Sequence, residues 1–272
     1  MSKKTIVITG ASSGIGKATA KYFAQNDWNV AATMRNPEKE TELTLVENVK
    51  LYTMDVTNAQ SIESAYQRIT GDYEKIDVLL NNAGYCLLGP FELSTDEQIR
   101  AEFDVNVFGL MNVTKIFLPH FRENKDGVII NVSSVGGKVT FPMISTYHAT
   151  KFCVEGFVEA VSYELAPFGI KVKLIEPGSI ATDFGTRSMK MTENPEDSAY
   201  SAFYNALMKN ASSADPTMYS QPEMVAEVIY TAATDGSDKM RYIAGADAEN
   251  WVNLKQQHGD DAYFAMVKNM FS

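Results

Sequence analysis

Thr5-Ile6-Val7-Ile8-Thr9-Gly10-Ala11-Ser12-Ser13-Gly14-Ile15-Gly16 is the stretch that decides the fold. A β-branched run stops at a glycine, and from Ile15 onward apolar residues recur at helical spacing. This is strand, glycine turn, helix. A helix start presents free backbone N–H groups and the positive end of its dipole, and glycines let a phosphate come close. Gly10, Ser12, Ser13, Gly14, Ile15 and Gly16 are therefore candidates for holding a diphosphate. Taken alone, the triplet reads equally well as a tight turn with close helix packing, and its spacing differs from Gly-x-Gly-x-x-Gly. A nucleotide triphosphatase loop is excluded, because its first glycine and its hydroxyl residue would fall on Ala11 and Ala18.

Outward from this turn the two patterns alternate. Strands are expected at 28–33, 49–54, 76–80, 127–132, 170–175 and 241–244, and helices at 37–47, 59–69, 96–121, 145–165 and 223–233, with one or two more in the tail 250–271. Parallel strands need a helical crossover to return the chain, so the expectation is a doubly wound α/β fold of Rossmann type, a parallel sheet with helices on both faces. The pattern loosens over 182–222, which is rich in Met, Ser, Asn and Tyr and shows no strand period. With no repeat or linker, the whole of 1–272 is expected to form a single domain, with a mobile substrate lid at about 183–222.

The 272 residues are 45% hydrophobic and carry a net charge of −10, which repels nucleic-acid phosphates and anionic lipid. No nucleic-acid or membrane partner is expected. Cys86 and Cys153 allow at most one bridge, and the Met1-Ser2-Lys3-Lys4 start leads into no long apolar run. A reducing, cytoplasmic setting is the expectation. His120, His148 and His258 are scattered, so no metal site is expected.

At the end of the second strand, Thr33-Met34-Arg35 stands where an acidic residue would bind the ribose hydroxyls of NAD. Arg35 can pair with a 2′-phosphate, with Ser13 donating a hydrogen bond, which favours NADP(H). Asp55 can accept from an adenine amino group, and Asn81-Asn82-Ala83-Gly84 ends the fourth strand with amides that bridge strands or face a ribose.

Tyr147 is followed four residues later by Lys151, and residues so spaced on a helix share a face. Ser133 and Ser134 close the fifth strand at the edge where ligands bind in open parallel sheets. These groups suit hydride exchange between a nicotinamide and a carbonyl or alcohol carbon, with a proton moving alongside. A free phenol has a pKa of about 10. A cation at about 4 Å contributes on the order of 4 kcal/mol at an effective dielectric of about 20, which is expected to bring Tyr147 toward neutrality unless desolvation cancels it.

With these residues assembled, the chain resembles the short-chain dehydrogenases/reductases over about 4–182, in the branch containing hydroxysteroid and retinol dehydrogenases. The resemblance implies that Ser134 orients the substrate oxygen, Tyr147 transfers the proton, Lys151 holds the nicotinamide ribose and Asn106 helps position Lys151 through a water. It implies adenine contacts from Asp55 and Val56, cofactor contacts from Asn82, Ala83 and Gly84, and nicotinamide contacts from Pro177, Gly178, Ile180 and Thr182. It also implies a homodimer or homotetramer. Substrate-pocket candidates are Cys86, Phe141, Met143 and Phe184. The expected activity is NADP(H)-dependent reduction of a small-molecule ketone or aldehyde, or oxidation of the alcohol. A cofactor-sensing regulator and a sugar-nucleotide epimerase or dehydratase are the alternatives.

Overall fold

Ile6 and Ile8 of β1 (Thr5–Thr9) pack into one apolar cluster and Val7 into another, and all three are fully buried. A strand buried on both sides lies between two helix layers. The computed structural model describes residues 3–181, 188–213 and 219–270, so Thr182 and Phe184 lie outside the described residues. After β1 come α1 (Gly14–Gln25), β2 (Asn29–Met34), β3 (Val49–Thr53), α2 (Ala59–Asp72), β4 (Val78–Asn81) and a short strand β5 (Cys86–Leu88). They are followed by α3 (Asp96–Phe103), α4 (Leu110–Asn124), β6 (Gly127–Val132), α5 (Ser145–Leu165) and β7 (Ile170–Pro177). The chain continues through β8 (Met189–Met191), α6 (Ser201–Ser213), α7 (Pro222–Thr234), β9 (Arg241–Ala244) and α8 (Ala246–Met270).

Seven strands form one parallel sheet in the order β3-β2-β1-β4-β6-β7-β9. This is the doubly wound, Rossmann-type single domain expected from the sequence. The strand order reverses between β1 and β4, and the crevice beyond their carboxyl ends is where ligands of such sheets bind. One core cluster holds Phe23 and Trp28, edge to face at 5.1 Å, together with Val225 and Ile229 of α7. The other holds Phe117 and Phe121 of α4 and Val154 and Val158 of α5.

Three local expectations are corrected. The polar helix expected over 37–47 is replaced by two 3-10 turns, Pro37–Lys39 and Leu43–Leu45. The Glu40 carboxylate accepts from the backbone N–H of Glu42 at 2.9 Å and of Leu43 at 3.1 Å, an alternative to helical bonding, and Lys17 pairs with it at 3.0 Å. The helix expected over 96–121 is interrupted by a π-helical turn, Asp104–Gly109, between α3 and α4. The segment 182–222 is not without regular structure: β8 pairs in parallel with β5, Cys86 opposite Met189 and Leu88 opposite Met191, and α6 follows. β5 itself was not expected, being too short to show a period. In the tail, Gly259 at φ 77° breaks α8 into two helical stretches. Among the described residues, no helix is long and apolar enough to cross a membrane.

Candidate active site

The glycine turn sits at the switch point. Gly10 has φ 69° and Gly14 φ 52°, left-handed conformations that glycine adopts without strain. A Cβ on Gly10 would lie 2.9 Å from the Ala83 Cα, and one on Gly16 only 2.5 Å from the Gly10 carbonyl oxygen. The turn is therefore pressed against the end of β4. Ser13 caps α1 without closing a side-chain cap hydrogen bond, and no acid lies in the first helical turn. The result is an uncontested set of N–H donors with the positive end of a dipole behind them, the arrangement a diphosphate needs. Arg35 is exposed beyond β2, while Met34 is buried. These residues fit a dinucleotide.

The Asn81–Gly84 segment is anchored to the sheet and to the glycine turn. Asn81 donates to Thr114 and to Asn131, each at 2.9 Å, and Asn131 donates to the Lys173 carbonyl at 3.3 Å. The Asn82 side chain donates to the carbonyls of Thr9 at 2.9 Å and Gly10 at 3.2 Å and so holds the glycine turn. Ala83 packs under that turn, and Gly84 leaves room for Asn106 and Lys151: an added Cβ would stand 3.1 Å from Asn106 Oδ1 and 3.8 Å from Lys151 Nζ. Asp55 accepts through Oδ1 from the Thr57 N–H and hydroxyl, at 2.9 and 2.7 Å, and Val56 is buried against Gly109. Gly178 lies against the Asp247 carboxylate, which also accepts from the Ser179 N–H at 2.7 Å, and Ile180 bridges to Ser220. The backbone beside Pro177 is thereby fixed at the carboxyl end of β7.

Ser134, Tyr147 and Lys151 meet at this same edge. The Ser134 Oγ accepts from the Gly136 N–H at 3.0 Å and is a hydrogen-bond partner of the Tyr147 phenol. Lys151 is almost wholly buried, donates to the Val132 carbonyl at 2.9 Å, and lies 5.6 Å from the centre of the Tyr147 ring. Burial pushes Lys151 down to about 8, against the pull of Glu102, Cys86 and Glu155. Burial also pushes the Tyr147 phenol above its ordinary value, Cys86 and Glu102 add to the push, and only the Ser134 hydroxyl opposes it. The expected lowering by Lys151 is thus not met. The ammonium faces the ring and the Val132 carbonyl, and desolvation outweighs it.

Asn106 is buried in the π-helical turn. Its side chain accepts from the Tyr85 N–H at 2.9 Å and donates to the Tyr85 carbonyl at 2.8 Å and to Thr150 at 3.1 Å. It therefore ties β5 to α5 next to Lys151. Cys86 is buried beside Tyr147 and Lys151, and burial raises its thiol, so it is an inert wall rather than a nucleophile. Met143 joins Leu88 and Tyr204 in an apolar cluster below the segment 189–213. Its φ of 67° is strained for a side chain of its size. Phe141 does not join it: it packs edge to face on Trp251 at 4.9 Å, in the cluster built on α8.

Residues beyond the sequence reading also shape the site. His148 links Nδ1 to the Gly136 carbonyl at 2.8 Å and accepts at Nε2 from the Phe141 N–H at 2.7 Å. Burial lowers its pKa, and as a neutral ring it pins the loop after Ser134 onto α5. Its place next to Tyr147 was the available signal. Among the described residues, no group of three or more His, Cys, Asp or Glu side chains is placed to hold a metal ion.

Sheet order, glycine turn and the Ser-Tyr-Lys cluster together define an α/β dehydrogenase. A family profile described as short chain dehydrogenase matches residues 4–193, and the chain belongs to that family, whose members bind NAD(P)(H). It is 40% identical over 233 residues to an uncharacterized oxidoreductase of Schizosaccharomyces pombe, spanning 85% of this chain and 97% of that protein. A crystal structure of a short-chain dehydrogenase from Streptomyces avermitilis superposes with a TM-score of 0.85 at 31% identity, covering 99% of this chain and 96% of that one. ElxO with NADP bound gives a TM-score of 0.76 at 27% identity, covering 92% of this chain and all of that one (100%). The protein is an oxidoreductase of the short-chain dehydrogenase/reductase family.

Proposed function

We propose that this chain is an NADP(H)-dependent carbonyl reductase, reversible as an alcohol dehydrogenase, acting on a ketone or aldehyde with apolar substituents. The observation that carries the reading is the convergence of Ser134, Tyr147 and Lys151 beside the glycine turn, with Arg35 exposed past β2. When bound, the nicotinamide supplies or accepts the hydride. Gly10 to Gly16 would hold the diphosphate, Arg35 the 2′-phosphate, Asp55 and Val56 the adenine, and Lys151 the nicotinamide ribose.

The chain's own groups then handle the oxygen and its proton. The Ser134 Oγ accepts from Gly136 and its hydroxyl bonds the Tyr147 phenol, so on substrate binding its hydrogen would turn from the phenol to the substrate oxygen. The Tyr147 phenol, kept protonated by its buried setting, donates its proton as the carbonyl oxygen gains charge. Lys151 lends positive charge and steadies the phenoxide. The apolar cluster around Leu88, Met143 and Tyr204 is the wall for the substituents, and 189–213 is its lid. The assembly we propose is a homo-oligomer in the cytoplasm.

A panel of carbonyl compounds with NADPH oxidation followed at neutral pH tests this. Tyr147→Phe is expected to abolish turnover while NADPH still quenches intrinsic fluorescence. An unimpaired Tyr147→Phe enzyme removes Tyr147 as the acid and overturns the reading.

A further inference from the structure

Glu102 belongs to none of the motifs above, yet it is fully buried. A carboxylate in that position costs several kcal/mol unless charge or hydrogen bonds compensate it. It stands four residues before Asn106, and the two side chains grip one strand. Asn106 takes both backbone groups of Tyr85, while Glu102 Oε1 accepts from the Leu87 N–H at 2.8 Å. Between the gripped residues lies Cys86, which acts on both Tyr147 and Lys151.

Gripping a backbone N–H does not need a charge; the neutral amide of Asn106 does the same work two residues earlier. The second carboxylate oxygen, Oε2, is buried with no hydrogen-bond partner in ordinary range. Around the carboxyl group are the Thr146 hydroxyl, Tyr147 and Lys151 from α5, and Cys86 and Tyr85 from the β5 segment. Asp104, from the adjoining π-helical turn, also acts on Tyr85. Burial raises the Glu102 carboxyl, and Lys151 brings the positive charge that pulls it back down; Glu102, with Cys86 and Glu155, in turn pulls Lys151 up against its burial.

We propose that Glu102 is a positioning residue for the Tyr147–Lys151 pair, supplying the buried negative charge opposite the Lys151 ammonium while its other oxygen fixes the strand that carries Cys86. The role in turnover rests on the carbonyl-reductase reading; the charge pairing does not.

Glu102→Gln keeps an acceptor for Leu87 and removes the charge. In the cofactor-free protein, the Lys151 side chain is followed by carbon-13 NMR and assigned with Lys151→Met. Its titration in Glu102→Gln is expected about one unit below that of the unaltered chain, the low end for one nearby opposite charge. The alkaline limb of kcat/KM moves to lower pH by the same amount. Overlaid Lys151 titrations would make Glu102 a structural residue only and overturn the proposal. Should Glu102→Gln not fold, the Glu102 carboxyl is followed in Lys151→Met: with the cation removed it must titrate at higher pH, and an unmoved carboxyl overturns the proposal equally. If the unaltered chain reduces no carbonyl, the functional reading fails while both NMR measurements still decide this one.

Discussion

The Lys151 ammonium lies 5.6 Å from the centre of the Tyr147 ring and donates to the Val132 carbonyl at 2.9 Å, so helix α5 and strand β6 share one buried cation. Folding places that charge where it is least solvated, and the cost is readable. Lys151 is pushed from 10.5 to about 8 by burial. Between those two values the unfolded chain holds the proton and the folded chain does not, so this group's contribution to stability rises with pH across the window. Below pH 8 both states are protonated and the full penalty stands, at most about 3 kcal/mol. Lys151→Met is therefore expected to raise the chemical-denaturation midpoint of the cofactor-free protein at pH 7, with the gain shrinking toward pH 10. Turnover in the same variant should fall by about 100-fold or more, as for loss of an assisting group in proton transfer. A destabilised variant at pH 7 would show that Lys151 is not strained by its burial.

Coenzyme choice is expected to reside in a single exposed cation. Arg35 stands past β2 with buried Met34 before it, and no carboxylate occupies either position. Removing a charge-assisted hydrogen bond costs about 1.5–3 kcal/mol, so Arg35→Ala should weaken NADPH binding by roughly 10- to 100-fold and leave NADH nearly unchanged. Met34→Asp with Arg35→Ala should then reverse the preference. Fluorescence titrations with both coenzymes at two salt concentrations measure this, since the Arg35 contribution must also shrink as salt rises. An unchanged ratio would place the 2′-phosphate elsewhere.

Glycines in this chain differ in what they permit, and two make a controlled comparison. Gly10→Ala forces a side chain into φ 69° and onto the Ala83 backbone at 2.9 Å. The expected loss is about 1–3 kcal/mol of stability with impaired cofactor binding. Gly71→Ala, in helix α2 with nothing within 4 Å of the new Cβ, is expected to stabilise by about 0.5–1 kcal/mol. Thermal denaturation of the two variants side by side gives opposite signs, or the strain argument is wrong.

What the sequence makes legible follows the range over which each signal acts. Ile6, Val7 and Ile8 betray a strand because a β-branched run ending at a glycine is a local pattern, and Tyr147 with Lys151 betrays a helical face because four residues suffice to see it. Cys86 opposite Met189 is different: two three-residue strands far apart in the chain are too short to show a period, and their pairing leaves no local pattern. The π-helical turn around Asn106 and the grip of Glu102 on Leu87 likewise depend on a partner segment, so neither has a signature of its own. Phe141 and Met143 are two residues apart yet enter different apolar clusters, because the left-handed Met143 turns the chain between them. Glu40 defeats the helix expected over 37–47 by hydrogen bonds that composition does not reveal.

A second buried charge group lies one turn beyond Lys151, and its pH response should oppose that of Lys151. Arg241 of β9 reaches Glu155 of α5 at 3.1 Å, Glu176 of β7 at 3.4 Å and Glu159 at 2.5 Å. Burial and the adjacent Glu155 hold the Glu176 carboxyl above the usual carboxylate range. A carboxyl raised in the folded state stabilises while it is protonated, so that contribution is present at low pH and is lost as pH rises through the folded value. Arg241 offsets the loss by facing the charges that appear. Arg241→Met leaves two buried carboxylates without their cation, which is expected to destabilise by about 3–5 kcal/mol at pH 8. At pH 5, where Glu176 is protonated, the same substitution should cost clearly less. Glu176 immediately precedes Pro177, and Glu155 lies on the helix of Tyr147 and Lys151, so cofactor affinity should weaken in parallel at pH 8. Urea denaturation of Arg241→Met at both pH values decides the matter, and an equal loss at the two would mean that the carboxylates do not depend on Arg241.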